Sequence, residues 1–489
     1  MFIAPLRALT LGLALLGLGT TGFGQTAEPL PGQVELEGDT YPYLLLPPAD
    51  LVEGQSYPLV LFLHGAGERG KDNKAQMSHF PERMAEMQAA TGQACFILAP
   101  QCPQDVWWTP RTRGGQRGTY RLQPPVAPMQ AVMAALQEVV RSQPIDLDRI
   151  SLTGLSMGGF GSWDLAMRQP TWFSAVVPVC GGGDPRMVAR LAGLPVQVWH
   201  GGDDNVVPTA MSQQMVAAMK ELKLPVQYTE LPGVGHFSWP QAYSDEACLE
   251  LLMTSKRNPA AMQSETARLL AEAIDPNERI AFLGDSITQA GNRPGGYLDQ
   301  VRTGIAAMRP EAVVIPAGIS GHKVPDLLAR YQKDVLDQKA TMVFIYIGIN
   351  DVWHSRSGKG TPIDEFESGL RKLIQDFRAS GAEVVLATPS VIGEKPQGEN
   401  GLDKMLEDFS AVSRRVAAEE GATLCDLRQS FFDSLRIFNP KDLGKGVLTS
   451  DGVHLNPAGN TFLAIESARA LREAALKRTS RRKAEVEEK

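Results

Sequence analysis

Two hydrophobic patterns alternate along the chain. Continuous or nearly continuous apolar runs occur at 57–64, 95–99, 149–152, 175–179, 196–199 and 226–231. Runs this short suit strands of a parallel sheet covered on both faces. Spaced apolar residues at 128–140, 160–168 and 210–222 predict helices between several of them. The polar segment 254–259 ends in proline and interrupts the pattern. A helical stretch at 261–274 follows, and the alternation resumes. Strands are expected at 279–283, 312–315, 342–347, 383–387 and 422–426, and helices at 324–332, 363–379 and 402–419. Alternating strands and helices predict α/β architecture twice over, each a parallel sheet between two helical layers, the second flavodoxin-like.

A chain of 489 residues is too long for one core. The expected division is a domain over 25–258, a linker over 259–278, a second domain over 279–476 and a charged tail over 477–489, read as a solvated helix end or disorder. Residues 1–24 carry Arg7, an apolar stretch and small residues around Gly24, the pattern of a secretory signal. The expected location is therefore secreted or periplasmic, with no stable membrane span after signal cleavage. A net charge of −7 offers no electrostatic case for nucleic acid. Five cysteines fit no zinc spacing, and Cys95 and Cys102 are open to pairing or to burial as thiols. Nothing in the pattern specifies an oligomeric state.

The chemistry centres on Gly154-Leu155-Ser156-Met157-Gly158, between a predicted strand and a predicted helix. A serine there stands on a tight, strained turn, exposed for nucleophilic attack. It needs a base, and the base needs an anion. His236, after the run at 226–231, is the candidate base. Asp203 and Asp204, after the run at 196–199, compete for the acid. The glycine-rich loop after 57–64 suits an oxyanion hole, with the amides of Ala66 and Met157 as donors. Trp108, with its neighbour Trp107, and Trp239 are candidate flat faces for a sugar or aromatic acyl group.

Leu61–Gly70, Gly154–Gly158 and the two loops carrying Asp204 and His236 resemble secreted α/β-hydrolase esterases. These are the feruloyl and acetyl-xylan esterase-like proteins, also labelled predicted peptidases or phospholipase/carboxylesterase types. The family pattern His-Gly-x-x-Asp-x-x-Val selects Asp204 as the acid. In the second half, Gly284-Asp285-Ser286, Gly318–His322, Gly348-Ile349-Asn350-Asp351 and Asp451–Pro457 resemble the four blocks of SGNH (GDSL) hydrolases. That resemblance implies Ser286 as nucleophile, His454 as base and Asp451 as its partner. It also implies an oxyanion hole from the amides of Gly321 and Ser286 and the side chain of Asn350. Pro316 departs from the family, which often has asparagine before the second block. His322 and His354 beside the site raise a metal question, but they lack a carboxylate partner at ligand spacing. No metal or other cofactor is expected.

Together these resemblances imply an exported serine esterase with two Ser-His-Asp sites. The expected partner is an ester substrate, with O-acetyl or feruloyl groups on polysaccharide as the concrete expectation. The alternatives are a lipase, lysophospholipase or peptidase activity in the first half, or a polysaccharide-binding protein with one inactive domain.

Overall fold

The computed structural model describes residues 27–91, 93–110 and 122–487. The expected signal segment lies outside them. The chain divides into two compact units, Met1–Arg257 and Asn258–Lys489.

The first unit is built on an eight-stranded sheet. Its strands are β1 (Leu30–Leu36), β2 (Asp39–Leu46), β3 (Tyr57–Leu63), β4 (Phe96–Pro100), β5 (Ile145–Leu155), β6 (Ala175–Val179), β7 (Val196–Gly201) and β8 (Val226–Leu231), in the order β1-β2-β4-β3-β5-β6-β7-β8. Strands β3 to β8 pair in parallel, while β1 and β2 add an antiparallel edge. Every residue of β3, β4 and β6 is buried, as unbroken apolar runs require of strands covered on both faces. The β1–β2 hairpin was not predicted, because prolines 31 and 42 obscure its alternation. Its two-residue Glu37-Gly38 turn, with φ of 55° and 91°, is the mirror-image type that suits twisted hairpins.

The second unit holds β9 (Arg279–Gly284), β10 (Val313–Gly318), β11 (Met342–Tyr346), β12 (Glu383–Ala387) and β13 (Thr423–Cys425). They pair in parallel in the order β10-β9-β11-β12-β13. That is the flavodoxin-like order, whose switch point falls between β9 and β11. Pro316 sits in the edge strand β10, where a missing N–H is tolerated.

One expectation needs correction. Residues 259–278 do not act as a linker. Pro259–Ala273 is a helix whose first turn is capped by Asn258, and Met262, Leu269 and Leu270 are buried along it. Apolar residues at helical spacing bind this stretch to the second core. The tail is a solvated helix end, exposed along the close of the helix Pro457–Glu487, with one buried anchor: Arg478 is buried, and its Nη1 donates to buried Glu278 at 2.9 Å. The five cysteines are free and buried. Cys95 and Cys102 flank strand β4, which separates them by roughly 20 Å, beyond disulfide reach.

Candidate active sites

Strand β5 ends at Leu155, and Ser156 precedes the helix Met157–Arg168 with φ 53° and ψ −115°. A positive φ at a residue with a side chain is strained and must be held by its surroundings. Close packing does so here. A Cβ on Gly158 would lie 1.8 Å from the carbonyl oxygen of Leu63, and one on Gly154 2.5 Å from that of Gly158. Both flanking glycines are needed because strand β3 presses on the turn.

The serine hydroxyl meets His236 Nε2 at 2.9 Å, and His236 Nδ1 meets Asp204 Oδ2 at 2.7 Å. Asp204, not Asp203, is thus the partner of the imidazole. Its other oxygen accepts the amides of Val206 and Val207, each at 2.9 Å. Burial pushes this carboxyl up, but the bonds from His236 and the two amides outweigh it and hold Asp204 below the usual carboxylate range. Asp203 serves through its backbone, its amide donating to Val234 of the histidine loop at 2.9 Å. At the end of β7 a Cβ on Gly201 would lie 2.1 Å from the carbonyl oxygen of Gly235. The acid loop and the histidine loop therefore touch through glycine.

Met157 opens the helix at the serine, and Ala66 opens a short 3-10 turn after β3. His64 braces that turn. Its Nε2 accepts the Cys102 amide at 2.9 Å, so Nδ1 carries the hydrogen and donates to the Gly65 carbonyl at 2.6 Å. Burial pushes the His64 imidazole down to about 4. Trp108 is 1% exposed and donates its indole N–H to the His64 carbonyl at 3.0 Å. It is core beneath the loop and offers no face to a substrate. Trp239 is also buried, packed edge-on to His236 at 5.6 Å. The exposed aromatic beside His236 is Phe237, at 58%, which rests against Trp239. Its position next to the histidine was the only sequence signal for it.

Among the described residues, Cys180, Asp204 and His236 bring one ligand-type atom each within 4.8 Å of one another. Asp204 and His236 are already committed to each other. Burial pushes the Cys180 thiol up to about 12.

In the second unit Ser286 starts a helix directly after β9 and Asp285. Its hydroxyl meets His454 Nε2 at 3.0 Å, and His454 Nδ1 meets Asp451 Oδ2 at 2.7 Å. Asp451 Oδ1 accepts the amides of Val453 and His454 at 2.9 and 2.8 Å. The carboxylate is thereby fixed by its own loop, although its side chain is 54% exposed. Asn350 Nδ2 donates to the His322 carbonyl at 3.1 Å, which ties the third block to the second. Gly321 turns the second block with φ 81°. His322 Nδ1 accepts from Arg330 Nε at 3.1 Å, so this nitrogen is not offered to a metal.

Arg330 and Glu394, which carry no motif, and Asp285 of the first block organise this site. Arg330 also donates to the carbonyls of Ala317 and Gly284, joining the ends of β10 and β9. Buried Glu394 accepts the amides of Val447 at 2.8 Å, Leu448 at 2.7 Å and Thr449 at 2.5 Å, along with the Thr449 hydroxyl at 2.8 Å. It thus braces the start of the Asp451–His454 loop. Asp285 is fully enclosed, and burial pushes its carboxyl up to about 7 against the bond it accepts from the Ile287 amide. A lone Glu in a long connection carries no pattern that would have singled it out.

Residues 282–462 match the GDSL-like Lipase/Acylhydrolase family and residues 117–264 the Dienelactone hydrolase family. An acetylxylan esterase of Geobacillus stearothermophilus is 32% identical over 209 residues, covering 39% of this chain and 92% of that relative. An isoamyl acetate-hydrolyzing esterase of Schizosaccharomyces pombe is 25% identical over 191 residues, covering 38% and 71%. A solved structure of a thermostable esterase shares 35% identity over 47% of this chain and 63% of its own, with a TM-score of 0.43. The chain therefore belongs to the GDSL-like lipase/acylhydrolase family through its second half, carries a dienelactone hydrolase (α/β-hydrolase) domain in its first half, and is a carboxylic ester hydrolase.

Proposed function

We propose that the chain is an exported serine esterase with two independent sites, Ser156-His236-Asp204 and Ser286-His454-Asp451, acting on acylated polysaccharide. One observation carries this reading: each unit holds a hydroxyl, an imidazole and a carboxylate in series at 2.7 to 3.0 Å. In each, the imidazole takes the serine proton as the hydroxyl attacks the ester carbonyl, and the carboxylate stabilises the resulting cation. The imidazolium then returns that proton to the leaving alcohol, leaving an acyl-enzyme. Water, activated by the same imidazole, releases the acid.

The developing oxyanion in the first site is met by the amides of Met157 and Ala66. In the second it is met by the amides of Ser286 and Gly321 and the Asn350 side chain. Asn350 Nδ2 donates to the His322 carbonyl at 3.1 Å and makes a longer bond of 3.5 Å to Asp285 Oδ2, and the weaker of the two is the one an oxyanion would replace. The exposed ring of Phe237 is the proposed acyl or sugar contact of the first site, in place of Trp108 and Trp239. Acetyl groups are the proposed target of the second site, in keeping with the acetylxylan esterase relative, and acetyl or feruloyl groups that of the first. Export rests on the composition of residues 1–24, and among the described residues no helix is long and apolar enough to cross a membrane.

The test is to assay Ser156→Ala and Ser286→Ala separately on p-nitrophenyl acetate, methyl ferulate and acetylated xylan. Each variant is expected to lose a different part of the profile. A Ser286→Ala enzyme unchanged on every ester would remove the second site from the proposal.

A further inference from the structure

The acid of the first site is bounded by two imidazoles. Asp204 Oδ2, which takes the Nδ1 hydrogen of His236, also lies 3.2 Å from His200 Nε2. Both side chains, Asp204 and His200, are 0% exposed. A buried carboxylate is stable as an anion only when hydrogen bonds replace its lost water. Asp204 has three such donors, two backbone amides at Oδ1 and His236 at Oδ2, and His200 Nε2, whose hydrogen also faces the Val207 carbonyl, stands beside Oδ2 as a fourth polar neighbour.

His200 is itself fixed from three sides. It lies in β7, one residue from the strand's end. Nε2 also points at the carbonyl of Val207, 3.0 Å away, and both atoms facing it are acceptors. Nε2 therefore carries a hydrogen. Nδ1 lies 2.7 Å from the Ser212 hydroxyl on the helix Ala210–Glu221, and that hydroxyl also reaches the Gly181 carbonyl at 2.8 Å. The single hydrogen of that hydroxyl goes to Gly181, so its oxygen fixes Nδ1 by position, while burial pushes the imidazole below its ordinary range. The ring cannot turn without breaking contacts on both edges. Its catalytic neighbour is Asp204 Oδ2, the same oxygen that His236 Nδ1 meets at 2.7 Å.

We infer that His200 is a positioning residue of the first site: its Nε2–H, locked by Ser212 and Val207, holds Asp204 in the charge state and rotamer that His236 requires. It touches no substrate. This inference rests on the proposed role of Ser156, His236 and Asp204.

The test uses the full chain with Ser286→Ala, so that p-nitrophenyl acetate reports the first site alone. His200→Gln places an amide donor near the Nε2 position, and His200→Asn places one only as far as Nδ1. Both keep a polar group against Ser212, and thermal unfolding checks that both fold. The Asn variant is expected to lose kcat by roughly 10- to 100-fold, the range for one hydrogen bond to a buried charge, with KM little changed. The Gln variant is expected to recover most of that loss. Equal kcat in the two folded variants, or a loss confined to KM, overturns the role of His200. Ser156→Ala in the same background is the control: hydrolysis persisting there would overturn the site assignment itself and with it this inference.

Discussion

His64 and Asp285 are buried titratable residues close to the two nucleophiles, and they give the two units pH dependences of opposite sign. His64 has a folded pKa of about 4 against an ordinary 6.5. Between those values the unfolded chain binds the proton and the folded one does not, so stability falls as pH drops from 6.5 towards 4, by on the order of 3 kcal/mol at the limit. His64→Gln should flatten that slope in acid titrations followed by calorimetry. Asp285 is the reverse case, with a folded pKa raised from 3.8 to about 7. Its contribution is fully present below 3.8 and is lost as pH rises through 7, because the unfolded carboxyl ionises first. Asp285→Asn should therefore raise the unfolding temperature of the second unit at pH 8 and change it little at pH 4. At this scale the serines, histidines and aspartates that meet in series were legible, because each sits in a short motif whose glycines or spacing betray it. The exposure of the aromatics was not. A tryptophan's exposure depends on what packs over it, and Trp108 is covered beneath the loop it supports.

Among the elements, it is the loops at strand ends that carry the chemistry, and two devices hold them. One is the glycine contact between the end of β7 and the histidine loop. Gly201→Ala would force a Cβ into the Gly235 and Val234 carbonyls, at 2.1 and 2.5 Å. Backbone must then move, separating Asp204 from His236. Activity at the first site should fall at least tenfold in kcat, read on p-nitrophenyl acetate with Ser286→Ala. The other device is Glu394, with its four hydrogen bonds to the segment that enters the Asp451–His454 loop. Glu394→Ala orphans two buried amides and a half-buried one and should destabilise the second unit by about 3 kcal/mol, with loss of its esterase activity. Denaturant unfolding beside the kinetics checks both effects. The central strands were readable because full burial demands unbroken apolar runs. The β1–β2 hairpin is hidden by its prolines, and the helix Pro259–Ala273, legible as a helix, reads as a linker only because a polar, proline-bearing boundary precedes it.

At the level of the whole molecule, two unrelated sheet topologies arrive at the same three functional groups. In the first unit the acid comes from its own loop after β7 and is 0% exposed. In the second it shares the histidine's loop and is 54% exposed. The division into two α/β units was legible from the repeated alternation of runs and helices. The substrate was not, since no residue pattern encodes an acyl group. Labelling the intact protein with a fluorophosphonate, and locating the adducts by peptide mass spectrometry, decides whether one chain carries two independent serine nucleophiles. Adducts are expected on both Ser156 and Ser286, each abolished only by alanine at its own position. An intact, folded chain that labels at one serine alone, or at neither, would contradict the two-site proposal.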